Sequence, residues 1–122
     1  MINTDKAWMN LGRSLLTQTL KLGTHRKNRR VWLDNESLLT GAGFHASALY
    51  DATYYPVSKS IKLKLDDEGQ RKVSKKTKGG KDVPVIDLNS SKVGWALGDV
   101  KQVKVTYKPG LITILNLREE DE

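Results

Sequence analysis

The residues best equipped for chemistry in this sequence are cations gathered in two dense blocks. These are His25-Arg26-Lys27-Asn28-Arg29-Arg30 and Arg71-Lys72-Val73-Ser74-Lys75-Lys76-Thr77-Lys78-Gly79-Gly80-Lys81. Guanidinium groups hold phosphate oxygens in a planar fork and lysine supplies a point charge, so each block can neutralise several phosphates. Arg29, Arg30 and Asn28 are also of the types that make paired hydrogen bonds to base edges. The candidate nucleic-acid-binding residues are Arg26, Lys27, Asn28, Arg29, Arg30, Arg71, Lys72, Lys75, Lys76, Lys78 and Lys81. For any one of them, a place in a solvated turn explains the residue equally well.

Other chemistry finds less support. Lys78-Gly79-Gly80-Lys81 lacks the spacing of a phosphate loop and no strong helix follows, so it reads as a basic hairpin tip. His25 and His45 lie in different segments with no ligand at metal-site spacing, and both read as surface residues. Asp66-Asp67-Glu68 could hold Mg²⁺, but adjacent positions splay their side chains apart and a turn is the better reading. With Cys 0, thiol catalysis, zinc ribbons and disulfide frameworks are excluded. The expectation is a chain with no catalytic residues, no metal and no cofactor. Trp32, Phe44 and Trp95 sit in apolar contexts that suggest core, leaving a basic surface poor in aromatics. Tyr54-Tyr55 before Pro56 is the best candidate for an exposed stacking pair.

The balance of charge supports a polyanionic partner: 21 Lys+Arg against 14 Asp+Glu give a formal net charge of +7 over 122 residues. A chain of this length is one domain by default and buries roughly two thirds of its unfolded surface. Met1 to Leu22 has neither the charge order nor the apolar run of a signal peptide or membrane span, which implies a cytoplasmic protein. Arg118-Glu119-Glu120-Asp121-Glu122 reads as a short solvated acidic tail.

Several elements must position the basic blocks. Lys59-Ser60-Ile61-Lys62-Leu63-Lys64-Leu65 alternates as a half-buried strand does, and Asp66-Asp67-Glu68-Gly69 supplies a turn. Gln102-Val103-Lys104-Val105-Thr106-Tyr107, then Lys108-Pro109-Gly110, then Leu111-Ile112-Thr113-Ile114-Leu115 is the clearest hairpin. Asn35 or Asp34 could cap a short helix through Leu39, ended by Gly41 or Gly43. Asn89 to Val93 could form one helical turn ended by Gly94. Thr4 can cap a helix through Trp8 and Leu11, whereas Ser14 to Leu22 leans to strand.

The order of these features repeats. In the first half, the basic loop Arg26 to Arg30 leads to the strand Arg30-Val31-Trp32-Leu33-Asp34, a short helix, Gly43-Phe44, and strands near Ala48-Leu49-Tyr50 and Ile61-Lys62-Leu63. In the second, the basic loop Lys75 to Lys81 leads to Val83-Pro84-Val85-Ile86-Asp87-Leu88, a short helix, Gly94-Trp95, Leu97-Gly98-Asp99, Val103-Lys104-Val105 and the Gly110 to Ile114 return.

The second unit resembles the swapped-hairpin β-barrel module of the AbrB and SpoVT transcription regulators. The match rests on Val85-Ile86-Asp87-Leu88, Val93-Gly94-Trp95 and Leu97-Gly98-Asp99-Val100. The first unit is looser and is similar to the SymE branch, with Leu38-Leu39 and Gly41-Ala42-Gly43-Phe44 where Trp-Leu and Ala-Gly-Phe would be expected. The resemblance implies a mainly β fold with short helices, a single-chain pseudo-dimeric swapped-hairpin barrel built from two repeats. It divides the chain into an N-terminal helical segment (1–14), a first unit (15–68), a second unit (69–117) and the acidic tail (118–122). It also implies that the basic loop before each central strand faces DNA.

The function expected is a small double-stranded-DNA-binding transcription regulator, a monomeric pseudo-dimer or a homodimer, with a phage or mobile element as the expected origin. Two alternatives stay open: a SymE-like RNA-binding toxin, and an inhibitor or adaptor docking its basic face on an acidic protein. No membrane partner is expected.

Overall fold

The computed structural model describes residues 16–117. The helical segment expected at 1–14 and the acidic tail at 118–122 lie outside the described residues. In chain order the elements are β1 (Thr17–Lys21), β2 (Gly23–His25), β3 (Asn28–Leu33), α1 (Glu36–Gly41), β4 (Leu49–Tyr55), β5 (Ser60–Leu65), β6 (Arg71–Lys72), β7 (Ser74–Lys78), β8 (Lys81–Leu88), α2 (Ser91–Leu97), β9 (Gln102–Lys108) and β10 (Leu111–Leu117). The fold is mainly β with two short helices, as expected.

Two antiparallel sheets form. One has six strands in the order β1-β9-β10-β5-β4-β6, the other four in the order β2-β3-β8-β7. Apolar residues at alternate positions give each sheet one dry face. Ile61, Leu63, Val103, Val105, Tyr107, Ile112 and Ile114 from the larger sheet meet Val31, Leu33, Ile86 and Leu88 from the smaller, all within one core cluster. Phe44, just past α1, is fully buried there and packs edge-on against Tyr50, ring centroids 5.9 Å apart.

Turn chemistry sets the registers. Pro109-Gly110 closes β9 onto β10, pairing Lys108 with Leu111, with Gly110 at φ 76. Gly79-Gly80, both left-handed, close β7 onto β8 and pair Lys78 with Lys81. The Asp66 carboxylate accepts from Glu68 N at 2.9 Å, the Asx turn expected of that acidic run. At Gly69 a Cβ would fall 2.6 Å from the Tyr50 backbone, so no side chain fits.

The pairing between sheet halves is reciprocal. β3 pairs with β8 through Trp32 and Asp87, and β5 pairs with β10 through Ile61 and Ile114. β1, before the first helix, pairs with β9, after the second; β6, before the second helix, pairs with β4, after the first. Each helix carries a side-chain cap, Asn35 on α1 and Ser90 on α2, and each is followed by a left-handed glycine, Gly43 at φ 91 and Gly98 at φ 78. β1 runs through Leu22 into β2, and β6 through Val73 into β7, so continuous chain joins the two sheets at both margins. Neither sheet closes on itself, so a barrel in the hydrogen-bonding sense is absent.

Several expectations need correction. α2 does not stop at Gly94 but continues to Leu97, because Val93, Ala96 and Leu97 form a buried stripe. Lys75 to Lys78 form a strand, not a loop, since β8 offers them a hydrogen-bonding edge. Trp32 and Trp95 are not core residues: they are 39% and 61% exposed. Trp32 faces the wet side of β3, between buried Val31 and Leu33, and Trp95 lies off the buried stripe of α2.

Candidate nucleic-acid interface

The first basic block and Lys75 to Lys81 become two β-hairpin arms on the four-stranded sheet, while Arg71 and Lys72 form β6 on the six-stranded sheet. In the first, His25 pairs with Asn28 across a turn made by Arg26 and Lys27, both exposed. Arg26 takes φ 61 there, a conformation that costs an ordinary residue roughly 1–2 kcal/mol and glycine almost nothing. The second arm is β7–β8, whose residues Ser74 to Asp82 are all exposed. Because β3 and β8 are antiparallel neighbours, the two tips project from opposite ends of the sheet. Measured from the Trp32–Asp87 pair, the first residues of β3 and β8, Asn28 and Lys81, stand about 33 Å apart at ~3.3 Å per residue.

The candidate cations divide by what they already touch. Arg29 turns inward, donating to Asp99 Oδ1 at 3.0 Å and to the Val100 carbonyl. Its stem crosses α2 at Gly94, where a Cβ would come within 3.3 Å of Arg29 Cγ; this close approach is what Gly94 serves. Arg30 grips Asp87 with two parallel hydrogen bonds of 2.8 Å and lies 4.5 Å from the centroid of Trp32. Lys75 pairs with Asp82, Lys76 with Asp34, and Lys81 with Glu36, at 3.1–3.3 Å. The Arg71 guanidinium donates to Tyr50 Oη at 3.3 Å and borders an open cleft of ≈ 290 Å³ with Lys72 and Asp87. Arg26, Lys27, Lys72 and Lys78 make no ion pair among the described residues, and Asn28 is half-buried at the strand entrance.

The paired carboxylates feel these cations. The Arg30 hydrogen bonds hold the Asp87 carboxyl below its usual range, against a smaller opposing effect of burial. At Asp34 burial pushes upward, but hydrogen bonds from Trp32 and Lys76 outweigh it and the carboxyl stays low. Both acids are therefore fixed anions at neutral pH. They neutralise part of the sheet and leave Arg26 and Lys27 at one tip and Lys78 at the other without an ion-pair partner among the described residues.

Sequence reasoning overlooked one feature. Trp32 lies open between two cations, Arg30 at 4.5 Å and Lys76 at 5.9 Å from its ring centre. The strict alternation Val31-Trp32-Leu33 was the available signal, since neighbours of two buried strand positions face outward. Tyr55 is 39% exposed beneath Lys62, whereas Tyr54 is half-buried beneath Lys92. Among the described residues no group of three or more His, Asp or Glu is placed to hold a metal, and no helix is long and apolar enough to cross a membrane.

Neither a family model nor a curated protein nor a solved structure matches this chain.

Proposed function

We propose that this protein binds double-stranded DNA, its two basic hairpin arms contacting the phosphate backbone at two points, as a small regulator would. The observation that carries this reading is the placement of the arms. They stand at opposite ends of one four-stranded sheet, at corresponding points of two reciprocally paired units, about 33 Å apart. One turn of B-form duplex is about 34 Å, so two arms related in this way can meet equivalent phosphates one turn apart. Arg26 adds support: a cation occupies a backbone position that favours glycine, as expected where charge at the tip is selected over backbone comfort. The reciprocal strand pairing is also what a swapped-hairpin pseudo-dimer of the AbrB kind would have, and we read the fold in that way.

Arg26, Lys27, Lys78 and Lys81, all on the two arms, are the phosphate contacts in this reading, Lys81 giving up its exposed pair with Glu36, and Arg29 and Arg30 brace the first arm. The test is duplex binding over a salt series with Arg26→Ala/Lys27→Ala and with Lys78→Ala/Lys81→Ala. Each pair should weaken binding and lower the slope of log K against log salt by about 2, because each neutralised phosphate contributes about 0.9. Slopes that match wild type overturn the assignment.

Single-stranded DNA or RNA is a second reading, favoured by exposed Trp32 between Arg30 and Lys76, where a base could stack. Trp32→Ala should then weaken single-strand binding by about tenfold, given ~1–3 kcal/mol per stacked base, and leave duplex binding unchanged.

A further inference from the structure

The outer face of the six-stranded sheet carries a second concentration of charge, well away from the hairpin arms. Residues alternate so that Ile61, Leu63, Val103, Val105, Tyr107, Ile112 and Ile114 point into the core. Lys62, Lys64, Lys104 and Lys108 therefore point out, and all are exposed, as is Lys21 on β1. The registers weave them with hydroxyls: Thr17 lies opposite Thr106, Thr106 opposite Thr113, Thr113 opposite Lys62, and Lys62 opposite Thr53. In the adjoining row Lys108, Leu111, Lys64 and Asp51 follow one another across the sheet.

This face differs electrostatically from the smaller sheet. None of its lysines makes an ion pair among the described residues. Asp51 is its one carboxylate on these rows, and it accepts a hydrogen bond from Gln70 N at 2.8 Å. Five lysines against one carboxylate among the described residues, on a sheet about 19 Å wide from β1 to β4 at ~4.8 Å per strand, make a surface for a polyanion. The row through Lys104 also carries exposed Leu115 and Tyr55, but the Lys and Thr of the other rows point to phosphate rather than to a protein. The centres of protein interfaces favour Arg and aromatics and disfavour Lys, whereas contacts to a nucleic-acid backbone come from Lys and from Ser and Thr hydroxyls. The lysines here are rooted in strands, so their backbone positions are fixed and only side-chain freedom is lost on binding.

We propose that the outer face of the six-stranded sheet is a second phosphate-backbone surface, so that one molecule holds two DNA duplexes, one at the hairpin arms and one on this face. The proposal rests on the duplex-binding reading of the arms. The arms belong to the four-stranded sheet and this face looks away from it across the core, so the two surfaces are separate.

Capture between two duplexes tests the idea: one is fixed to beads, the other is free and fluorescent, and the full chain is added. Wild type should retain the free duplex. Lys62→Glu/Lys64→Glu/Lys104→Glu should lose capture at least tenfold while its affinity for a single duplex stays within about threefold. The substitutions are at exposed strand positions, and an unchanged thermal midpoint separates lost binding from lost folding. Milder Lys→Gln versions should give an intermediate loss of capture.

Wild type that binds one duplex and captures no second overturns the proposal and leaves the reading of the arms standing. Binding that survives Arg26→Ala/Lys27→Ala with Lys78→Ala, yet vanishes in the face variant, overturns both bridging and the reading of the arms. A face variant that captures duplex as wild type does but no longer binds poly-L-glutamate overturns it in favour of an acidic protein partner.

Discussion

Arg26 and Asp87 are the residues at which charge and stability pull apart. Arg26 spends backbone energy at φ 61 to hold a cation at the arm's tip. Arg26→Gly should therefore stabilise the fold by about 1 kcal/mol in denaturant titration and weaken duplex binding at the same time. Asp87 works in the other direction. Its pair with Arg30 is held by two hydrogen bonds at the surface, where solvent screens it, and it favours the ionised carboxylate. Because Arg30 lowers the Asp87 pKa, the stability from this pair is complete above the ordinary carboxylate range near ~4 and is lost as pH falls through the lower folded value. Asp87→Asn should make this acid limb shallower, leaving the share of Asp34, and it should tighten duplex binding because one fixed negative charge on the sheet is removed. Tyr107 sets the alkaline limb. Burial raises its pKa far above normal while its hydroxyl donates to Gln18 Oε1 at 2.7 Å. Stability should be unaffected below pH ~10 and fall above it, and Tyr107→Phe should lessen that fall, leaving the share of Tyr50, whose pKa burial also raises, at a cost of about 1 kcal/mol for the lost hydrogen bond. Thermal midpoints between pH 3 and 11 would show both limbs.

The elements depend on a few backbone switches. Gly43 and Gly98 end the helices with left-handed φ, and at Gly43 a Cβ would also stand 2.9 Å from Leu65 Cδ1. Gly43→Ala should cost more than the roughly 1 kcal/mol of the conformation alone, and so should Gly98→Ala, because φ 78 with ψ −165 is a region essentially confined to glycine although nothing but the flexible end of Lys59 at 3.5 Å stands near it. At the tip of the second arm nothing crowds Gly79, and Gly79→Asn should stabilise by about 0.5 kcal/mol through lower entropy of the unfolded chain. Urea titration checks all three. These switches were legible in sequence: the Pro109-Gly110 and Gly79-Gly80 turns, the Asn35 cap and the alternation of β5, β9 and β10 all follow local rules. The length of α2 was not. Gly94 looks like a helix end, yet it lies inside α2, whose buried Val93, Ala96 and Leu97 carry the helix on, and the Arg29 stem passes close beside it.

The whole molecule is held by its exchanged strands. β1 completes the sheet of the second hairpin and β6 that of the first, with Ile61 and Ile114 meeting at the seam. Neither half has a core of its own, so unfolding should be a single calorimetric transition, and Ile114→Ala should lower stability by about 2–5 kcal/mol without splitting it. Two separable transitions would contradict this account. The sequence by itself determined what short-range physics governs: a mainly β chain, the turns, the helix caps, the repeated order of elements and the clustering of cations. It could not assign partners to those cations. Arg29 with Asp99, Arg30 with Asp87 and Lys76 with Asp34 are far apart along the chain, and only the packing of the sheets decides which charges are cancelled and which stand open. Tertiary structure likewise turned Trp32 outward and gathered the lysines of β1, β5 and β9 on one face. A strand's own alternation tells which residues share a side, but the register between strands decides which side becomes surface and which charges lie next to each other there.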